Sequence, residues 1–125
     1  MNIYFAGAIR GGRNDSKTYQ KLIQLLKNYG TVLTEHVGNE ILLEEEQFLS
    51  EKEIFNRDMQ WLAEANILIA EVSTPSLGVG YELAVAEKLG IPCLCLFRKQ
   101  QNSELSAMIL GNSFFQQKHI QQIQN

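Results

Sequence analysis

The feature that most constrains this chain is a regular alternation of two kinds of segment. Short apolar runs occur at IYFAG (3–7), TVLTE (31–35), NILIAEV (66–72) and IPCLCLF (91–97), and each reads as a strand. Between them lie segments with apolar residues at helical spacing. SKTYQKLIQLLKNYG places Tyr19, Leu22, Ile23 and Leu26 on one face, with Ser16 as a candidate cap and Gly30 as a stop signal. SEKE at 50–53 fits a capping box that opens a helix running to about Ala65. LGVGYELAVAEKLG (77–90) puts Val79, Leu83, Ala86 and Leu89 on a common face. GNEILLEEEQFL reads as a loop or a short helix, and the glutamine-rich end, QQKHIQQIQN, as a terminal helix or a frayed tail. Strands separated by helices predict an α/β fold, a doubly wound, mainly parallel sheet covered on both faces. No linker or internal repeat is evident, so a single domain over residues 1–125 is expected.

Composition narrows the function classes. A net charge of −3 and the lack of a basic stripe argue against a surface for polymeric nucleic acid. No apolar run is long enough to cross a membrane, and MNIYFAGAIRGG lacks a basic leader, so a cytoplasmic protein is expected. Cys93 and Cys95 alternate within one strand, where a disulfide between them is geometrically poor, and they read as core thiols. His36 and His119 belong to no cysteine cluster, and neither zinc spacing nor a GxxxxGK loop occurs. No metal or cofactor is expected.

Parallel sheets of this kind bind ligands beyond the carboxyl ends of their strands, where strand order reverses. The loops there begin at Gly7, Glu35, Val72 and Phe97. The first, GAIRGGR, offers backbone N–H groups at its glycines and charge at Arg10 and Arg13, which suits an oxyanion; a flexible surface turn is the competing reading. In STPSLGVG, Ser76 can cap the following helix, and the free donors there also suit an anion. Glu82 falls on the apolar face of that helix, near the same mouth. Asp58 lies beside the stripe formed by Phe55, Met59 and Leu62. Two carboxylates on inner faces of neighbouring helices fit a paired acid–base or nucleophile site, and equally a pair of buried acids with ordinary ionic partners. Tyr4 reads as a core tyrosine whose ring could line the mouth, and Trp61 as core packing.

IYFAGAIRGGR, GTVLTEHV, the D-x-x-WL pattern at 58–62, AEVSTPSLGVGYEL and LSAMILG, taken in order from Ile3 to about Gly111, resemble the 2′-deoxynucleoside 5′-monophosphate N-glycosidases. These Rcl-type enzymes belong to the nucleoside 2-deoxyribosyltransferase superfamily. The resemblance implies a Rossmann-like three-layer sandwich with a sheet of about five strands. It also implies hydrolysis of deoxynucleoside monophosphates to free base and 2-deoxyribose 5-phosphate. By resemblance, Glu82 matches the nucleophile, Asp58 its partner acid, and Tyr4 the sugar-side tyrosine. The phosphate pocket matches Gly7, Ala8, Ile9, Arg10, Gly11, Gly12 and Arg13 with Ser76 and Gly78. A neighbouring subunit would complete it through Ser106, Ala107 and Met108, which implies an obligate homodimer. Base contacts would come from the loop carrying His36 to Asn39. Ala8 stands where relatives commonly carry serine, which removes one hydroxyl from the phosphate loop. Transfer of the deoxyribose to another base is the alternative reaction.

Overall fold

The computed structural model describes residues 1–9, 15–39, 46–98 and 105–120. Five strands form one sheet: β1 (Asn2–Ala6), β2 (Thr31–Val32), β3 (Ile67–Glu71), β4 (Cys93–Arg98) and β5 (Phe115–Ile120). The helices are α1 (Ser16–Leu26), α2 (Glu51–Glu64), α3 (Leu77–Leu89) and the single turn α4 (Ala107–Leu110), with a 3-10 turn at Glu35–Gly38. Strand order is β2-β1-β3-β4-β5, and all four pairings are parallel. This is a Rossmann-like α/β architecture in three layers. The order reverses between β1 and β3, so the loops leaving those two strands diverge and open a crevice.

The period-2 pattern of the strands sorts the core into two layers. Ile3, Phe5, Ile69 and Leu96 face α1, where Tyr19, Leu22 and Ile23 cover them. Tyr4, Ala6, Leu68, Ala70, Cys93 and Cys95 face the other way, against Leu62 of α2 and Val79, Leu83 and Ala86 of α3. Cys93 and Cys95 are free and buried on that same face, and burial pushes their thiols up to about 12 and about 11. They are inert core residues at neutral pH.

Local signals held where they concerned backbone groups. Ser50 caps α2 in a reciprocal box with Glu53, and Gly90, at φ 74°, closes α3 in the left-handed conformation. Other expectations are corrected. Ser16 is the first buried residue of α1 rather than its cap; the preceding Asp15 occupies the cap position and sends its carboxylate to Thr74 and Arg98 instead. The second strand stops at Val32 because Thr34 Oγ1 takes over the backbone of Phe5, accepting from its N–H at 2.8 Å and donating to its carbonyl at 2.7 Å. Leu89 and Phe55, placed on buried stripes by spacing, are 53% and 47% exposed.

The largest correction is at the C-terminal end. The expected terminal helix begins in a strand, β5, laddered along β4 from Cys93↔Phe115 to Arg98↔Ile120. Phe115 is buried, while Gln117 spends its amide on the last carbonyls of α4, Ile109 at 2.8 Å and Leu110 at 3.1 Å. Residues 121–125 lie outside the described residues.

Candidate active site

The crevice between β1 and β3 holds a pocket walled by Tyr4, Ala6, Gly7 and Ile9 of the first strand and its loop. Thr34, His36 and Val37 come from the segment after β2, Asp58 from α2 and Glu82 from α3. The first loop is set by a close approach. A Cβ on Gly7 would lie 2.7 Å from Cζ of Tyr19, so only glycine lets the ring sit beneath the chain. Tyr19 Oη then accepts from the N–H of Ala8 at 3.0 Å, and Ala8 itself is fully buried.

Tyr4 reaches upward from the sheet and donates its phenolic hydrogen to Oε2 of Glu82. Burial, then the charges of Glu82 and Asp58, push the phenol far above its ordinary range, so it remains a donor. Glu82 is held in the first turns of α3, a helix capped by Ser76 Oγ accepting from Val79 N–H at 3.2 Å. Burial pushes its carboxyl up to about 7; the Tyr4 hydrogen bond opposes this and the charge of Asp58 adds to it. Asp58 is also raised by burial, against the pull of Arg57, whose Nε donates to Oδ1 at 3.0 Å. A titratable carboxyl held by a phenol and a second carboxyl held by a guanidinium form an asymmetric acid pair.

The structure brings together only part of the expected set. Tyr4, Gly7, Ile9, His36, Asp58 and Glu82 share the pocket. Asn39 ends the 3-10 turn, its N–H on the carbonyl of His36 at 2.9 Å, and is not a pocket wall. Ser76 and Gly78 lie at the N-terminus of α3, where Gly78 is exposed. Ser106 caps α4 by accepting from Met108 N–H at 3.2 Å; Ala107 and Met108 are exposed, and none of the three walls this pocket within one chain. Arg10, Gly11, Gly12 and Arg13 lie outside the described residues.

Sequence reasoning missed Arg57 and Glu46, which join His36 and Asp58 at one end of the pocket. The signal for Arg57 was its place next to Asp58 in the chain. Glu46 offered none, because it sits in the segment whose conformation the spacing left open. A second cluster was also missed. Glu71, fully buried at the end of β3, accepts from Ser73 N–H at 2.7 Å and from Arg98 Nε at 2.8 Å. Arg98 Nη2 pairs with Asp15 at 2.8 Å, and Thr74 donates to the other oxygen of Asp15 at 2.5 Å. This cluster straps the segment before α1 to the loop after β3. Among the described residues no group of three or more His, Cys, Asp or Glu could hold a metal ion, and no helix is long and apolar enough to cross a membrane.

A Rossmann-like sheet whose switch-point pocket presents paired carboxyls and a phenol defines a class of proteins that act on small ligands at the strand ends. The sequence profile of the nucleoside 2-deoxyribosyltransferase family matches residues 3–120, and the chain belongs to that family. It is 49% identical over 114 residues to the 5-hydroxymethyl-dUMP N-hydrolase of Esox lucius, spanning 89% of this chain and 79% of that protein. The 5-hydroxymethyl-dUMP N-hydrolase of Rattus norvegicus is 50% identical over 112 residues, 88% of this chain and 69% of the relative. That of Danio rerio is 50% identical over 114 residues, 90% and 80% of the two chains.

Proposed function

We propose that this protein hydrolyses the N-glycosidic bond of 2′-deoxynucleoside 5′-monophosphates, releasing the free base and 2-deoxyribose 5-phosphate, with Glu82 as nucleophile. The observation that carries the reading is the half-buried Glu82 carboxyl, held by the Tyr4 phenol and faced by Asp58 in the switch-point pocket. Family membership and the names of the relatives support the reaction class.

In the first step an oxygen of Glu82 attacks C1′ as the C1′–N bond breaks. The electron pair of that bond leaves with the base, and Asp58, directly or through water, supplies the proton the base requires. Water then attacks C1′ and frees Glu82, with Asp58 taking the water's proton. A 2-deoxy sugar lacks the electron-withdrawing 2′-hydroxyl, so positive charge at C1′ develops more readily. The Tyr4 phenol steadies Glu82 in its ionised form and occupies the space beside C2′. Gly7 to Arg13, with Ser76 and Gly78, bind the phosphate, and His36 and Asn39 approach the base. Remote phosphate contacts then hold C1′ over Glu82, turning binding energy into orientation.

The active species is a homodimer in which a second copy supplies Ser106, Ala107 and Met108 to the phosphate end. The exposed apolar residues of α2 and α3 support this: Leu77 is 96% exposed, and Phe55 and Tyr81, edge to face with ring centres 6.0 Å apart, are about half exposed. Transfer of the deoxyribosyl group to a second base is the other reading, favoured by the family to which the chain belongs. Incubation with a panel of deoxynucleoside monophosphates that includes 5-hydroxymethyl-dUMP decides between them. Base release without an added base supports hydrolysis, and release that requires a second base supports transfer. Glu82→Gln and Glu82→Ala abolish either; full activity in both removes Glu82 as nucleophile.

A further inference from the structure

One guanidinium at the end of the pocket is held on several sides. Nε of Arg57 donates to Asp58 Oδ1 at 3.0 Å. Its Nη2 donates to Glu46 Oε2 at 2.6 Å and lies 3.2 Å from Nε2 of His36. The guanidinium carbon sits 5.1 Å from the centre of the Trp61 ring, against which His36 also rests at 5.4 Å. Two pocket walls, Asp58 and His36, therefore meet the same planar cation, and that cation is anchored by a carboxylate and an indole face. A fork fixed along its edges and across its face has little rotational freedom, which a lysine ammonium cannot reproduce. Among the described residues Oδ2 of Asp58 makes no hydrogen bond, so Oδ1 serves the protein and Oδ2 remains for the ligand.

We infer that Arg57 is a positioning residue that locks Asp58 and His36 into one unit, presenting Oδ2 of Asp58 to the reacting bond and the His36 ring to the base. This inference rests on the reading of the pocket as an N-hydrolase site. The groups facing Asp58 are Tyr4 from β1, Glu82 from α3, His36 from the 3-10 turn after β2, Glu46, and Arg57 on its own helix. Burial, and to a lesser degree the charge of Glu46, favour a protonated Asp58, and Arg57 opposes them. Removing Arg57 therefore loosens the geometry of Asp58 and moves its titration to higher pH.

The test uses the full chain and the variants Arg57→Gln, Arg57→Lys and Asp58→Asn. Arg57→Gln is expected to lower kcat on the order of tenfold to a hundredfold. Inhibition by 2-deoxyribose 5-phosphate, which carries no base, should stay within about twofold of the parent. In the Asp58→Asn background the same change should have a clearly smaller effect than in the parent, because the part of Arg57's action that runs through Asp58 is already lost and only the part through His36 remains. Arg57→Lys keeps the charge and loses the fork, so its kcat falls by less than that of Arg57→Gln yet stays below the parent. Carboxyl-carbon NMR of Asp58 should show its midpoint displaced upward in Arg57→Gln. An unchanged midpoint, a lysine variant equal to the parent, or an undiminished effect in Asp58→Asn overturns the inference. If Arg57→Gln does not fold, the lysine variant alone decides. A parent protein that releases no base sinks the hydrolase reading, while the titration of Asp58 still decides the role of Arg57.

Discussion

Tyr4 and Glu82, separated by 78 positions in the chain, are joined by a hydrogen bond from the phenol to the carboxylate Oε2. The bond crosses from the sheet to the helix that covers it, and among the described residues it is the interaction that lowers the pKa of Glu82 against burial and the charge of Asp58. In the proposed reaction Glu82 must be ionised to attack C1′, so the phenol would set how much of the protein is competent near neutral pH.

Tyr4→Phe removes that bond and should drive the titration of Glu82 further upward. The acidic limb of kcat/KM, expected near pH 7 in the parent, then moves to higher pH. At pH 7 the rate falls by roughly tenfold to a hundredfold, the range for a hydrogen bond to a charged group. A pH–rate profile measured on both proteins checks this, and superimposable acidic limbs would refute it.

The same carboxyl should destabilise the fold at alkaline pH. Its ordinary value of 4.5 rises to about 7 in the folded protein, so the folded state holds the extra proton between those values. Relative to the unfolded chain, stability is favoured below about 4.5 and lost as pH rises through about 7. The ionised group then costs about 3 kcal/mol at pH 8. Glu82→Gln, which still accepts from Tyr4, should therefore melt several degrees above the parent at pH 8 and close to it at pH 5. An equal difference at both values would show that the carboxyl does not titrate in this window.

Arg98→Met strips the buried Glu71 of its cation and frees Asp15 as well. The expected loss is about 3–5 kcal/mol by denaturant unfolding, because an uncompensated charge is left inside. Adding Glu71→Leu should restore much of that stability, as apolar pairs of similar volume replace buried ion pairs well. A single variant as stable as the parent would show that the cluster is not a strap.

Gly7→Ala would push a methyl into the Tyr19 ring, 2.7 Å from its Cζ. That ring is fully buried and lies edge-on to Phe5 with centroids 5.7 Å apart, so it has nowhere cheap to go. A loss of about 1–3 kcal/mol is expected. Equilibrium unfolding reads it directly, and no loss would mean that the loop yields instead of the ring.

Four strands and three helices were legible because each carries its own signal: apolar runs on buried strands, apolar faces at helical spacing on the helices, and the caps of α2 and α3. The stop expected at Gly30 was not used, since α1 ends at Leu26 with Lys27 as its cap. β5 was not legible, since only Phe115 of its six residues is buried and the rest are polar or half exposed. Its strand state comes from the ladder offered by β4, a partner more than twenty positions away in the chain. The same reason hid Ser16, where a cap-type residue went into the core while Asp15 turned to Arg98. Leu89 and Phe55 kept helical phase yet stayed exposed, because phase does not tell how much of a helix the sheet covers.

The sequence by itself determined the layered parallel fold and the inward aim of Glu82, while the strand order placed the crevice between β1 and β3. The first two follow from periodicity and from where turns and caps fall. Tertiary structure decided which side chains Glu82 and Asp58 meet. The phenol on Glu82 comes from an interior strand, and the guanidinium on Asp58 is held by His36 and Glu46, which lie elsewhere in the chain. Local pattern places a carboxylate on a face. Its charge state depends on burial and on partners brought close only when the sheet and helices pack, and that is why the chemistry of the pair had to wait for the fold.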